Sequence, residues 1–197
     1  MKQLLIVGAG GFGREVLNWA QDIPLKKKDW EVGGFLDANP AALNGYDCNY
    51  QILADPMVYQ PRKGDCFICA IGHPQKKLRI CRHLKECGAE FITLIHPTAI
   101  IGNRCSIGEG CIFCPGVILT ADVKMSDFVI VNAQSTIGHD AFIGEGCTLS
   151  SHVDITGFAS LGEGVFLGSH AAVLPKAKVG DYAIIGAGSV VLKKVKP

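Results

Sequence analysis

The chain has 197 residues, with Lys plus Arg at 19 and Asp plus Glu at 18, so a real hydrophobic core is available in one large domain or two small ones. The near-zero charge excludes a nucleic-acid or anionic-membrane role that rests on bulk electrostatics, and points to a small molecule or another subunit as partner. Glycine supplies 24 residues, well above the usual share of about 7 %. Nine cysteines, an odd number scattered along the chain, read as the thiols of a reduced, cytoplasmic protein. No window approaches 18 uncharged apolar residues, so no membrane insertion is expected.

The first apolar run, Leu4-Leu5-Ile6-Val7, stops too soon for the core of a signal peptide and enters glycines, so it reads as a strand. A helix over 13–20, strands over 32–36 and 66–71, a helix over 74–86 stopped by Gly88, and a strand over 91–95 follow. Strand and helix in alternation predict an α/β, Rossmann-like domain with a parallel sheet over residues 1–93. Gly8, Gly10 and Gly13 have the G-x-G-x-x-G spacing just after a strand and opening a helix, where backbone N–H groups can cradle a phosphate. Asp37, at the end of the second strand, is placed to bond a ribose or a base. Dinucleotide binding, nucleotide-sugar binding and a tight turn without ligand all fit the loop.

From residue 95 the period becomes six. Every sixth residue is apolar: Ile95, Ile101, Ile107, Phe113, Leu119, Met125, Val131, Ile137, Ile143, Leu149, Ile155, Leu161, Leu167, Val173, Val179, Ile185 and Val191. The fifth positions, from Ala99 and Cys105 to Ser189 and Val195, are small or β-branched, and eight second positions are glycine. That pattern predicts a solenoid of short strands, three hexads per triangular coil, with glycine relieving the corners. At about 4.8 Å per coil the prism is roughly 25 Å tall. The domain covers 94–197, and because no second nucleotide-binding half follows the glycine loop, dinucleotide binding is disfavoured.

Six histidines occur. His139 stands in Ile137-Gly138-His139-Asp140, at the third position of a hexad, where a corner projects the side chain outward. Adjacent Asp140 can hold the imidazole tautomer, and an imidazole suits proton removal from an attacking amine or hydroxyl. His83 and His96 read as solvated. His152 and His170 are one coil apart and are expected to stack, which raises a metal site, a ligand contact or a plain surface role. Cys66-x-x-Cys69 and Cys111-x-x-Cys114 are too far apart for an ordinary zinc pair, so their thiols read as structural and no metal is expected. The short lysine runs 26–28 and 193–194 read as solvated.

The glycine loop followed by an unbroken hexapeptide repeat resembles the sialic-acid O-acetyltransferase and nucleotide-amino-sugar N-acetyltransferase family, whose bacillosamine- and perosamine-type members modify bacterial surface-sugar precursors. The resemblance implies a left-handed parallel β-helix, a homotrimer, and acetyl-CoA as co-substrate with a nucleotide-activated amino sugar as acceptor. By position it implies acceptor contacts at Gly10, Gly11, Phe12, Asp37, Ala38 and Gly72. Catalysis falls to His139 as general base with Asp140 and Asn132, and coenzyme A contacts to Thr148, Gly157, Ser169 and Ala187. Phe12, Ala38 and Thr148 depart from residues common in the family, a polar side chain, an acid and a histidine respectively. Asp140 replaces the commoner Glu. Relatives continue past the point where Lys196-Pro197 ends, which implies either a shortened chain or a less enclosed coenzyme A site. The resemblance gives N-acetylation first. Acetylation of a sugar or sialic-acid hydroxyl, a γ-type carbonic anhydrase and an inert binding prism follow.

Overall fold

The computed structural model describes residues 1–197. They form two compact units, Met1–Gly72 with Lys76–Ile92, and His73–Gln75 with Thr93–Pro197.

The first unit is an α/β domain. Strands β1 (Lys2–Val7), β2 (Trp30–Leu36), β3 (Ile52–Ala54) and β4 (Asp65–Cys69) make a parallel sheet in the order β3-β2-β1-β4. Leu4, Leu5, Ile6 and Val7 are all buried, as expected for the inner strand of a parallel sheet covered on both faces. Helix α1 (Gly11–Asp22) buries Gly13, Val16, Leu17 and Ala20 on one stripe, and helix α2 (Pro74–Glu86) follows β4. Strand β3 is a three-residue edge strand whose Leu53 is exposed, too short to carry a readable alternation. Opposite the β1/β2 irregularity stands Gly33-Gly34, and Gly34 has φ +146°, which only glycine adopts without strain. The strand expected over 91–95 is two features: Phe91 bridges to Phe67 of β4, whereas Leu94–Ile95 opens the solenoid. A single apolar run thus serves both units.

The second unit is a parallel β-helix. Its eighteen two-residue strands stack into three six-stranded sheets, here face one (from Leu94–Ile95), face two (from Ile100–Ile101) and face three (from Ser106–Ile107). Partners are 18 residues apart, as in Ile112, Ile130 and Thr148. From Phe113 to Val191 every sixth residue is buried and fills the axis of the prism. The last coil is two residues short: Lys194 and Val195 pair with Lys178 and Val179, so Val195 takes an inward first position instead of the fifth position expected of it.

The chain turns at the fourth position of each hexad, in the left-handed region. Arg104, Asp122, Phe128, Gln134, Asp140, His152, Phe158, His170, Lys176 and Tyr182 all lie there, with φ between 57° and 63°. This disfavoured geometry is held by the ladder, because from Asp122 onward these residues donate their N–H to the coil below, as Asp140 does to Ala121 O and Phe158 to His139 O. The second-position glycines serve another purpose than the corner relief expected of them. A Cβ on Gly102 would overlap the Thr120 carbonyl, and one on Gly138 would come 2.8 Å from Gly157 N. They let successive coils approach. Fifth-position cysteines point their thiols at carbonyls of the next coil, Cys111 Sγ to Ser126 O at 3.3 Å and Cys147 Sγ to Gly162 O at 3.0 Å. Ser135 does the same toward Ser150 O at 2.9 Å.

Candidate active site

In the first unit the glycine loop links β1 to α1. Gly8 turns the chain at φ +101°, and a Cβ on Gly13 would overlap the Gly8 carbonyl, so the first and third glycines make the tight turn and the close helix–strand approach. Gly10 caps α1 without a side-chain bond, and a Cβ there would meet nothing within 4 Å. Gly10 and Gly11 are both exposed, at the positive end of the α1 dipole.

Asp37 holds the loop. Its Oδ2 accepts the N–H of Ala9 at 2.8 Å and its Oδ1 that of Asn39 at 2.8 Å. The carboxylate expected to meet a ribose thus has a second task, tying the end of β2 to the glycine turn. Ala38 is exposed and Gly72, past the end of β4, is half-buried with open space where a Cβ would stand. Phe12 turns along α1 to meet Trp19 edge-on, with ring centroids 5.9 Å apart. Arg14, which the motif did not single out, lays its guanidinium 3.5 Å over the Tyr46 ring. Nη2 is 4.0 Å from where a Gly11 Cβ would stand, so a fixed positive charge borders the loop. Its sequence signal is a lone arginine one residue after the third glycine.

In the second unit His139 sits at the corner between faces two and three. Its Nδ1 is 2.8 Å from Asp140 Oδ2. An ionised carboxylate only accepts, so Nδ1 is the donor of this bond and, in the neutral ring, Nε2 carries the lone pair. The left-handed backbone of Asp140, φ 59°, leaves its short side chain against the preceding ring. One coil above stands Gly157, where a Cβ would come 2.7 Å from Nε2. Phe158 meets the imidazole edge-on at 5.2 Å and 89°. Carboxylate, glycine and aromatic ring fix the orientation of a side chain that stays 58 % exposed. Below Asp140 on the same corner column, Asp122 is gripped by Arg104 through two 2.7 Å bonds. The guanidinium bond holds the Asp122 carboxyl below its usual range.

The other expected residues are distributed as follows. Gly157 belongs to the His139 corner. Asn132, Ser169 and Ala187 lie on the corner between faces one and two. Asn132 is committed to the solenoid, with Nδ2 donating to Leu149 O at 2.8 Å and Oδ1 accepting from Cys114 Sγ at 3.8 Å. Thr148 is 2 % exposed on face one. Within one chain, then, only Asp140 and Gly157 of this set adjoin His139. His152 and His170 stack with centroids 4.7 Å apart and planes 5° apart. His96 is buried and bonds Thr98 Oγ1 at 2.8 Å, in place of the solvated residue expected. No group of three or more His, Cys, Asp or Glu residues is placed to hold a metal ion, and no helix is long and apolar enough to cross a membrane.

Residues 3–84 match the PglD N-terminal domain, residues 158–193 the bacterial transferase hexapeptide (six repeats), and residues 98–125 the hexapeptide repeat of succinyl-transferase. A GDP-perosamine N-acetyltransferase of Escherichia coli O157:H7 is 28 % identical over 158 residues, 78 % of this chain and 69 % of that protein. A UDP-N-acetylbacillosamine N-acetyltransferase of Bacillus subtilis (strain 168) is 31 % identical over 122 residues, 57 % of this chain and 51 % of its own length. Among solved structures, PerB from Caulobacter crescentus in complex with CoA and GDP-perosamine superposes with a TM-score of 0.86 at 27 % identity, covering 100 % of this chain and 91 % of its own.

Proposed function

We propose that this chain, which carries the PglD N-terminal domain followed by the hexapeptide repeat of bacterial transferases, is an acetyl-CoA-dependent N-acetyltransferase of a nucleotide-linked amino sugar, working in the cytoplasm as a homotrimer on surface-glycan precursors. The observation that carries the reading is the His139–Asp140 pair, set 2.8 Å apart on a solenoid corner with Gly157 one coil above, beside the second ring nitrogen. Enzymes of this activity are its relatives over most of the chain.

The reaction is direct transfer. The sugar amine attacks the thioester carbonyl carbon while Nε2 of His139 removes a proton from the amine nitrogen. Asp140 stabilises the imidazolium by accepting from Nδ1. Backbone N–H groups of a neighbouring coil stabilise the oxyanion of the tetrahedral intermediate. Its collapse breaks the C–S bond, and the imidazolium returns its proton to the departing thiolate, giving the amide and free coenzyme A. The acceptor is held in the first unit by the N–H groups around Gly10, Gly11 and Phe12, beside Asp37, Ala38 and Gly72, with Arg14 supplying charge for the diphosphate. Coenzyme A lies along the solenoid near Thr148, Gly157, Ser169 and Ala187.

A thiol-release assay with acetyl-CoA across GDP-, UDP-, dTDP- and CMP-linked amino sugars tests this. Turnover on at least one nucleotide amino sugar is expected. Turnover on free sialic acid alone, with none on any amine, overturns it in favour of O-acetylation.

A further inference from the structure

The corner that carries His139 is a column of unlike charges, built by the register of the solenoid. Arg104, Asp122 and Asp140 occupy the same left-handed position in three successive coils, with Ile118 paired to Thr136 on the strands that lead into the last two. Coil spacing of about 4.8 Å puts Asp122 and Asp140 on neighbouring rungs of one corner. Like charges stacked in this way repel unless a cation nearby offsets them. Here Arg104 supplies it with Nε and Nη2 each 2.7 Å from an Asp122 oxygen, the two-pronged geometry that fixes direction as well as charge. Above Asp140 the column passes through Phe158, which is uncharged and rests against the His139 ring.

We propose that Arg104 and Asp122 are positioning residues for acetyl transfer, acting without touching substrate: through their charges they set the pH at which His139 is free to accept a proton, and they keep Asp140 turned toward Nδ1. This rests on the reading of His139 as general base. Each member has an opposite effect. Asp122 favours the imidazolium from the coil below; Arg104 opposes that field and holds the Asp122 carboxylate from its own coil. The electrostatic coupling of Asp122 to His139, and of Arg104 to Asp140, follows from the same stacking.

Other charged groups reach this corner from every side. Asp154, on the strand above the one leading into His139, is bonded by Thr136 Oγ1. Lys124 lies on face three one coil below Phe142, and Lys176 continues the column above Phe158. All are constant in the variants below, so they shift the baseline and leave the differences intact.

The test uses the full chain in three variants, Asp122→Asn, Arg104→Gln and the double variant. Two readouts are taken, the acid limb of kcat/KM for acetyl transfer and the imidazole C2–H titration of His139 by NMR. In D122N both midpoints fall by about 0.5 pH unit, the scale of one partly screened charge at this range. In R104Q both rise by a similar amount, and R104Q/D122N returns close to the parent, as a shared network requires. A merely structural pair would lower kcat in both variants without moving a midpoint. Shifts of the same sign in D122N and R104Q, or none in either, overturn the proposal. The NMR titration separates the two claims: opposite shifts in a protein that transfers no acetyl group would leave the charge column standing and remove the catalytic reading.

Discussion

At the scale of single residues, His139 is defined more by its neighbours than by its own chemistry. Asp140 fixes one ring nitrogen, and Gly157 leaves room for the other. His139→Ala is expected to lower kcat by about 10²- to 10⁴-fold, the usual contribution of a positioned base, while circular dichroism and thermal unfolding stay near the parent, because the ring is largely exposed and packs no core. Gly157→Val should act on the same step from the other side. Its side chain meets the imidazole at a distance no real Cβ keeps, so kcat should fall while KM for the nucleotide sugar holds. An unchanged kcat in steady-state kinetics would mean the ring moves freely and is not positioned by the coil above. The dyad was legible in the sequence because hexad counting placed His139 on a corner. Asp122 and Arg104 were not, since only stacking 18 residues apart makes them its neighbours, and a linear motif search does not look that far. Asn132 shows the converse, a position matched by resemblance whose amide is spent on Leu149 O within the chain.

At the scale of elements, the glycine loop and the solenoid coil follow different rules, and glycine answers to both. In the loop, Asp37 bonds two backbone N–H groups across the turn. Asp37→Ala should loosen the turn after β1 and raise KM for the nucleotide sugar by about tenfold, the order expected for one lost charge-assisted bond, with KM for acetyl-CoA unchanged. A rise in both constants would point to general unfolding of the unit. In the coil, period six and the apolar first positions were enough to read the architecture, because the prism axis admits only that pattern. The actual use of the second-position glycines was not readable, since it depends on how near the next coil lies. Nor was the short last coil, where Val195 abandons the register. The first unit offers a pH signature of its own. Burial, helped by a 2.7 Å bond to Asp65, pushes the Tyr59 phenol up to about 12. A group raised in the folded state contributes stability that is present below the unfolded value near 10 and lost as pH rises through about 12. Alkaline spectrophotometric titration should therefore show a late tyrosine step near pH 12, and Tyr59→Phe should remove one tyrosine from it. A late step left unchanged by that substitution would contradict the packing around Asp65.

At the scale of the whole molecule, composition alone suggested only a glycine-rich chain with a net charge near zero. Two domains, each recognisable from its own periodicity, account for that glycine through tight turns and close coil contacts. The proposed chemistry divides accordingly, with phosphate recognition on the α/β domain and proton transfer on the solenoid. Asn132, Ser169 and Ala187 lie on a different corner from His139, which fits an assembly in which a second copy brings its own corner alongside. Sedimentation equilibrium should give a mass three times that of the chain, and a monomer at assay concentration would rule out a shared site. The most direct test of the central claim is mass spectrometry of a nucleotide-linked amino sugar after incubation with acetyl-CoA and either the parent protein or His139→Ala. The account predicts one acetyl group on the amine with one coenzyme A thiol released per product, and loss of both in the variant. Undiminished product with His139→Ala would contradict it.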